Sequence, residues 1–217
     1  MKARARVALV CFVALISGGG APAAFAQESG PEFERQNRVA EMLRLLGADP
    51  GSVIADVGAG HGAFTIPMAR VVGPNGRAVA VDISESALTK LRERAANENV
   101  TNVDIILGAV DNPHLPVAQL DAALIHNAYH EMTAHEAMLG HIRAALKPSG
   151  RLLIVEPLHD TSLGLPREQQ VAKHDIEPGI VEGELKAAGF DVVERDDSFI
   201  KFTGVPGGFW LILARRQ

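Results

Sequence analysis

Residues 55–64 read ADVGAGHGAF, and this stretch decides how the rest of the chain is interpreted. The short apolar run 52–57 predicts a β-strand, and Gly58, Gly60 and Gly62 follow it at alternate positions. Glycines at such a turn let the backbone bend sharply and lie directly against a ligand. Because ligands of open α/β sheets bind at the carboxyl ends of the strands, the turn is the predicted binding site.

On either side of this turn, segments with the periodicity of strands alternate with segments that have the periodicity of helices. The predicted strands are 52–57, 78–81, 103–107, 122–125, 151–155, 190–200 and 208–214. The predicted helices are 32–46, one that follows the glycine turn, 84–96, 133–146 and 178–188. This alternation predicts a doubly wound, Rossmann-like α/β fold, with a seven-stranded, mostly parallel sheet and helices on both faces. The last two strands are joined by too few residues for a parallel crossover, so the C-terminal strand is predicted to be antiparallel.

Helix ends and one long connection add further predictions. Ser84 is predicted to cap the helix that starts there, and Gly189 fits the position just after the last helix. Thr133 and Glu136 have the spacing of a capping box. Segment 158–177 is polar, lacks periodicity and is long for a plain connection, which indicates a lid or a substrate loop.

The N-terminus has the pattern of a secretory signal peptide. Lys2, Arg4 and Arg6 precede the apolar core 7–16, and residues 24–26 read AFA, which is a typical cleavage site. Cleavage would remove residues 1–26, leave 27–217 as a single domain and imply export. The apolar core is shorter than the roughly 20 residues that cross a bilayer, so no stable membrane insertion is predicted after cleavage.

The charge and cysteine content narrow the classes of partner. The chain has 21 Lys and Arg against 26 Asp and Glu, and loss of the three basic residues of the signal peptide leaves 18 against 26, a net charge of −8. An acidic surface disfavours nucleic acid and anionic lipid as partners. Cys11 is the only cysteine and leaves with the signal peptide, which excludes a thiolate nucleophile, a disulfide and cysteine-ligated zinc in the mature chain.

Two ligand classes fit the glycine turn. Gly58, Gly60 and Ala63 satisfy the G-x-G-x-x-G/A dinucleotide fingerprint, and Asp82 lies at the distance expected of an acid that binds a ribose. Asp56, at the tip of the first strand, would repel a pyrophosphate but attract a ligand with an ammonium and a sulfonium. S-adenosylmethionine has both groups and a ribose, and it has no phosphate. The residues therefore favour S-adenosylmethionine over a nicotinamide dinucleotide.

Four segments resemble motifs of the class I S-adenosylmethionine-dependent methyltransferases: ADVGAGHG, AVAVDIS, LKPSGRLLIVE and LKAAGF. The resemblance extends over about residues 32–215 and implies that S-adenosylmethionine is the cofactor. The cofactor-binding residues that it implies are Asp56, Gly58, Ala59 and Gly60 at the turn and the methionine end, Asp82 and Ile83 at the ribose and adenine, Ala109, Val110 and Asp111 beside the adenine, and His126 and Asn127 facing the methionine moiety.

The residues proposed for chemistry lie in the stretch 125–132, IHNAYHEM, which follows the fourth strand at the ligand end of the sheet. His130 is the predicted base, Tyr129 is predicted to stack on or hydrogen-bond the acceptor, and Glu131 is predicted to orient His130. The alternative is a polar loop that leads into a helix. His130, Glu131 and His135 form H-E-x-x-x-H, one residue longer than the zinc-peptidase motif, so no metal site is predicted.

These observations predict a methyltransferase that acts on a small-molecule acceptor by in-line transfer. Nucleic acid is not an expected substrate. Arsenite-methylating enzymes resemble the chain in core motifs but work through cysteines, which the mature chain lacks. One alternative is an exported, non-catalytic protein that binds S-adenosylmethionine or a nucleoside on the same scaffold, because the cofactor is made in the cytoplasm. The other is a nicotinamide-dependent oxidoreductase.

Overall fold

The computed structural model describes residues 37–202, 204 and 206–217. The predicted signal peptide 1–26 and the start of the predicted helix 32–46 lie outside the described residues. The helices are α1 Val39–Leu46, α2 Thr65–Val72, α3 Glu85–Asn97, α4 His135–Ala145, α5 Arg167–Val171 and α6 Pro178–Ala187, with 3₁₀ helices at Tyr129–Glu131 and Asp160–Ser162. The strands are β1 Val53–Val57, β2 Arg77–Asp82, β3 Val103–Leu107, β4 Leu120–His126, β5 Leu146–His159, β6 Phe190–Lys201 and β7 Gly207–Arg216.

The strands form one seven-stranded sheet in the order β3-β2-β1-β4-β5-β7-β6. Neighbours from β3 to β5 pair in parallel, whereas β7 is antiparallel to both β5 and β6. The predicted fold class, including the antiparallel C-terminal strand, is confirmed. The strand order reverses between β1 and β4, and the crevice above the carboxyl ends of these strands is where such folds bind ligands.

The two faces of the sheet bury separate apolar clusters because side chains alternate along each strand. On β4, Ala123 and Ile125 belong to the cluster covered by α4 and α6, and Ala122 and Leu124 belong to the cluster covered by α1 and α2. Burial on both faces explains why the central strands are continuous apolar runs. In the described part of the chain, no helix combines the length and apolarity needed to cross a bilayer.

Two of the three predicted helix signals are confirmed. The Ser84 hydroxyl accepts a hydrogen bond from the N–H of Ala87 at 3.3 Å. Gly189 follows α6 with φ of 80°, a conformation that glycine adopts without strain. The capping box at Thr133 is wrong: α4 begins two residues later, and its N-cap residue makes no side-chain hydrogen bond. The chain leaves β4 through the 3₁₀ helix Tyr129–Glu131, which delays the start of α4.

Segment 158–177 is packed rather than open. It contains the 3₁₀ helix Asp160–Ser162 and α5, and it buries Ser162, Gln170 and Asp175. The Ser162 hydroxyl donates to Asp175 at 2.5 Å. These internal hydrogen bonds satisfy the buried polar side chains of the segment. Because the order of the segment depends on them and not on a periodic apolar pattern, the sequence alone did not reveal it.

Candidate functional site

The glycine turn lies at the carboxyl end of β1 and is tied to β2. The N–H groups of Gly58 and Ala59 both donate to the Val81 carbonyl, at 2.8 and 3.0 Å. Gly58 has φ of 85°, and a Cβ at this position would lie 2.5 Å from the Cβ of Ala128. Glycine is therefore required here because the loop after β4 passes directly over the turn.

Asp82, at the end of β2, presents a positioned carboxylate beside the turn. One carboxylate oxygen accepts from the N–H of Gly60 and the other from the N–H of Ser84, both at 2.8 Å. Each oxygen keeps a second acceptor position. Among the described residues, leaving aside the two chain neighbours of Gly60, no atom lies within 4 Å of where its Cβ would stand, so the turn is open on this side. The carboxylate can accept two adjacent hydroxyls, as the sequence predicted for a ribose.

Asp56 lies beneath the glycine turn rather than at its outer edge. Its side chain is 2% exposed and accepts a hydrogen bond from the Thr65 hydroxyl at 2.6 Å. Burial raises the pKa of Asp56 to about 6, an effect that the Thr65 bond opposes and the Asp82 charge adds to. A cation bound at the turn would favour the ionised carboxylate. Thr65 is thus a further residue of the site, which the sequence did not single out.

Several apolar side chains are exposed at the ends of β2 and β3 and in the turn that follows β3, near Asp82 in the chain or in the sheet. Ile83 is 62% exposed and Val110 is 54% exposed, and Leu107, at the end of β3, is 48% exposed. Ala109 and Asp111 belong to the turn that follows β3, where the Ala109 N–H donates to the Asn112 carbonyl at 2.7 Å. Such side chains offer an apolar surface to a planar base, and contact of Ile83 and Val110 with an adenine stays a prediction. Leu107 joins them only through the pairing of β3 with β2.

His126 and Asn127, at the end of β4, differ in environment. The His126 ring lies between Phe64 and Phe209, at centroid distances of 4.1 and 5.3 Å. Burial lowers the pKa of His126 to about 3, and its Nε2 has no hydrogen-bond partner among the residues that the structure describes. The Asn127 side chain is exposed, and its backbone has φ of 52°. His126 is therefore a neutral ring with one unused nitrogen.

Glu156, on β5, organises the loop that follows β4. It is fully buried and accepts from the N–H groups of Ala128 and Tyr129 at 2.6 and 2.7 Å. It also lies 2.5 Å from Nδ1 of His130, a ring that is 3% exposed. Burial lowers the pKa of His130, but the bond to Glu156 and the charges of Glu156, Glu131 and Asp175 outweigh this effect, and the pKa is raised.

The carboxylate that orients His130 is thus Glu156 and not Glu131, the residue that the sequence predicts for this role. Glu131 is exposed, and its Oε1 lies 3.7 Å from Nε2 of His130. A signal for Glu156 existed in the sequence, since it is an acid at the end of an apolar strand. Its partner could not be read from the sequence, because β5 and the loop meet only through the pairing of β4 with β5.

Tyr129 lies in the core and does not face the sheet edge. It is fully buried, and its hydroxyl donates to Glu184 at 2.7 Å. Burial and the Glu184 charge raise the pKa of Tyr129 above its usual range. This geometry indicates that Tyr129 anchors the loop against α6, and it does not favour the predicted contact with an acceptor.

His135, the next histidine in the sequence, does not lie beside His130 in the structure. His135 lies 3.2 Å from Glu184 and edge-on to the Tyr129 ring, on the far side of the loop. His174, from segment 158–177, instead lies perpendicular to the His130 ring at 5.6 Å between centroids. The extra residue in H-E-x-x-x-H agrees with this separation of His135 from His130, and the histidine beside His130 comes from a distant segment.

A cavity of about 550 Å³ lies at the same edge of the sheet, between segment 158–177 and the β6–β7 hairpin. Its walls include Leu158, Leu163, Ile200 and Phe202. The Phe202 ring lies 5.5 Å from Phe209, which stacks on His126. The row of rings links this cavity to the end of β4, although the cavity does not include the glycine turn.

Comparison with known proteins identifies the family and agrees with the fold. A model of the methyltransferase domain family matches residues 48–194. A ubiquinone/menaquinone biosynthesis C-methyltransferase of Hydrogenovibrio crunogenus is 33% identical over 115 residues, which are 52% of this chain and 45% of that protein. Nocamycin O-methyltransferase of Saccharothrix syringae is 30% identical over 135 residues, with 62% and 48% covered. The chain spans about half the length of these curated relatives.

Among solved structures, a SAM dependent methyltransferase from Aquifex aeolicus is similar with a TM-score of 0.72 and 19% identity. The similarity covers 92% of this chain and 100% of that chain. At this level of identity, the match shows a shared fold.

Proposed function

The chain belongs to the methyltransferase domain family, within the class I S-adenosylmethionine-dependent methyltransferases, and from that premise we propose that it transfers a methyl group from S-adenosylmethionine to a small-molecule acceptor. The observation that carries the proposal is the Asp82 carboxylate, held by two backbone N–H groups, with the exposed Ile83 next to it in the chain and the exposed Leu107 paired with it in the sheet. This set offers paired acceptors for a ribose and an apolar surface for an adenine at one place.

The cofactor of this family is S-adenosylmethionine, and the described residues fit it. Asp82 accepts hydroxyls, Gly60 leaves room at the turn, and Asp56 supplies negative charge below the methionine end. When bound, the cofactor supplies a methyl group that its sulfonium already activates. The protein then contributes chiefly by holding the acceptor in line, so that the new bond to carbon forms as the carbon–sulfur bond breaks.

A small-molecule acceptor is supported by the cavity between segment 158–177 and the β6–β7 hairpin. Its volume of about 550 Å³ is in the range of small-ligand sites. The two relatives named above are a C-methyltransferase and an O-methyltransferase, both named for small molecules. Segment 158–177 is therefore proposed as the substrate loop, in its packed form.

An acceptor that loses a proton requires a group to assist its removal. His130 is proposed for this part, because Glu156 holds Nδ1 and leaves Nε2 directed toward the exposed Glu131. The neutral His126 faces the methionine moiety in this proposal and takes no proton, since its pKa lies near 3.

We also infer that the protein is exported. The support is the signal-peptide pattern of residues 1–26 alone. An exported enzyme would need S-adenosylmethionine outside the cytoplasm. Fractionation of cells that express the full chain, with N-terminal sequencing of the product, tests whether the protein is exported. A product that retains residue 1 and stays in the cytoplasm would contradict it.

Calorimetric titration of the full chain tests the function. S-adenosylmethionine and S-adenosylhomocysteine are expected to bind, and NAD is not. Asp82→Ala is expected to weaken binding roughly tenfold or more, because two charge-assisted hydrogen bonds are lost. Asp104→Ala is the matched control, since Asp104 is an exposed acid on the neighbouring strand. Equal affinity in Asp82→Ala and wild type would refute the site, and tight binding of NAD would refute the cofactor.

Release of S-adenosylhomocysteine is then measured with small acceptors that offer oxygen, nitrogen or carbon nucleophiles. Turnover with one class is the expected result. Tight cofactor binding without turnover on any class would favour the non-catalytic alternative on the same scaffold.

A further inference from the structure

Three side chains with metal-binding atoms meet at the carboxyl edge of the sheet, outside the residues proposed for the cofactor. His130 and Glu131 come from the loop after β4, and His174 comes from segment 158–177. Their ligand atoms all lie within 4.8 Å of one another. We propose that His130, Glu131 and His174 form a binding site for a divalent transition-metal ion, with zinc as the ion that best fits the ligand set.

The distances between the ligand atoms agree with a tetrahedral site. Nδ1 of His174 lies 3.4 Å from Oε1 of Glu131, and Nε2 of His130 lies 3.7 Å from the same oxygen. Metal–ligand bonds of about 2.0–2.1 Å at tetrahedral angles place neighbouring ligand atoms about 3.3–3.4 Å apart. The two pairs that include Glu131 therefore need to close by at most a few tenths of an ångström, and the ligand atoms of the third pair, His130 and His174, lie within 4.8 Å of each other.

The buried Glu156 gives His130 the orientation of a metal-binding histidine. Such histidines usually donate the ring N–H that does not bind the metal to a carboxylate or a carbonyl. Nδ1 of His130 lies 2.5 Å from Glu156, which is fully buried and also holds the backbone of the loop. This contact fixes the ring and directs Nε2 toward Glu131 and His174.

The remaining side of the cluster is accessible. The side chains of Glu131 and His174 are 67% and 51% exposed, whereas His130 is buried. Two imidazoles and one carboxylate with an open fourth position are typical of zinc sites that bind water or substrate. In the proposed reaction, which this part of the inference presupposes, the ion would bind the acceptor group and lower its pKa. With the ion bound, Nε2 of His130 would be a ligand, and the ion would replace His130 as the group that assists loss of the proton.

Metal titration of the full chain, after removal of metal with a chelator, tests the site. Zn²⁺ is expected to bind in one equivalent by calorimetry, and Co²⁺ is expected to give visible absorption bands. His174→Ala and Glu131→Gln are expected to weaken both signals roughly tenfold or more, because each removes one of three protein ligands. His141→Ala and Glu136→Gln are the matched controls, since both residues are exposed on α4.

Binding of S-adenosylmethionine to the metal-free protein is measured in the same series. This readout separates failure of the metal site from failure of the proposed function. Absence of Zn²⁺ binding in the wild type would overturn the inference, as would equal Zn²⁺ affinity in His174→Ala and wild type. Loss in both variants with retention in both controls would support it.

Discussion

The buried carboxylate of Asp56 makes a quantitative prediction about stability and pH. Its pKa rises from 3.8 to about 6 in the folded protein because the side chain is 2% exposed. The folded state therefore binds the proton more tightly than the unfolded state. The resulting stabilisation is fully present below the unfolded pKa and is lost as pH rises through about 6. The total effect is about 3 kcal/mol.

Part of this change in the free energy of unfolding falls in a range of pH where it can be measured readily. Between about pH 5 and about pH 7.5, the proton linkage of Asp56 lowers the free energy of unfolding by about 1.4 kcal/mol. Asp56→Asn removes this linkage and leaves the other titrating groups in place. The difference in unfolding free energy between variant and wild type is therefore expected to change by about 1.4 kcal/mol over this range, in favour of the variant at the higher pH.

Urea denaturation of both proteins at several pH values measures this difference. Asp104→Asn is the control, because Asp104 is exposed and no comparable change is expected. A difference between Asp56→Asn and wild type that stays constant over the whole range would refute the reasoning, since a carboxylate with an unshifted pKa gives no linkage there.

The same group predicts how cofactor affinity depends on pH. If the ammonium of S-adenosylmethionine binds the ionised form of Asp56, affinity is expected to fall roughly tenfold between about pH 7.5 and about pH 5, as the carboxyl takes up its proton. Calorimetry at both values measures the change. Constant affinity would place the ammonium elsewhere and would leave the stability prediction intact.

Four further substitutions separate packing roles from binding roles. Gly58→Ala is expected to destabilise the protein by about 2–3 kcal/mol or more in thermal unfolding, because the new methyl would meet Ala128 at 2.5 Å; unchanged stability would contradict the close approach of the two loops. Gly60→Ala is expected to fold with a loss of only about 1 kcal/mol but to weaken cofactor binding, since its methyl enters the open side of the turn. Tyr129→Phe is expected to lose about 1–2 kcal/mol of stability with turnover nearly retained; loss of turnover without loss of stability would restore the predicted acceptor contact. Asn102→Ala is expected to lose about 2 kcal/mol in urea denaturation, because the buried amide donates to two carbonyls at the end of α2, each at 2.8 Å.

Much of the site at the glycine turn could be predicted from the sequence. Gly58 and Asp82 belong to patterns that depend on short stretches of chain, namely a strand, a tight turn and a second strand with an acid at its end. The carboxyl ends of parallel strands lie at the same edge of a sheet, independently of the rest of the fold. The structure accordingly brings the Asp82 carboxylate to the N–H of Gly60 at 2.8 Å.

The chemistry of the loop after β4 was less predictable. The sequence assigned Glu131 to orient His130 and put Tyr129 beside an acceptor, whereas the structure gives the first role to Glu156 and buries Tyr129 against Glu184. Neighbours in a sequence point in different directions when the chain turns. Their roles therefore depend on which element packs behind each of them.

By itself, the sequence determined the order of strands and helices, the antiparallel end of the sheet and the ligand edge, because periodicity and connection length are local properties of the chain. Only the tertiary structure decided that Asp56 lies under the turn, that His174 rather than His135 lies beside His130, and that Glu156 holds the His130 ring. The last two of these contacts join segments far apart in the chain. The strand order and the packing of segment 158–177 set their distances, and no local pattern of residues encodes them.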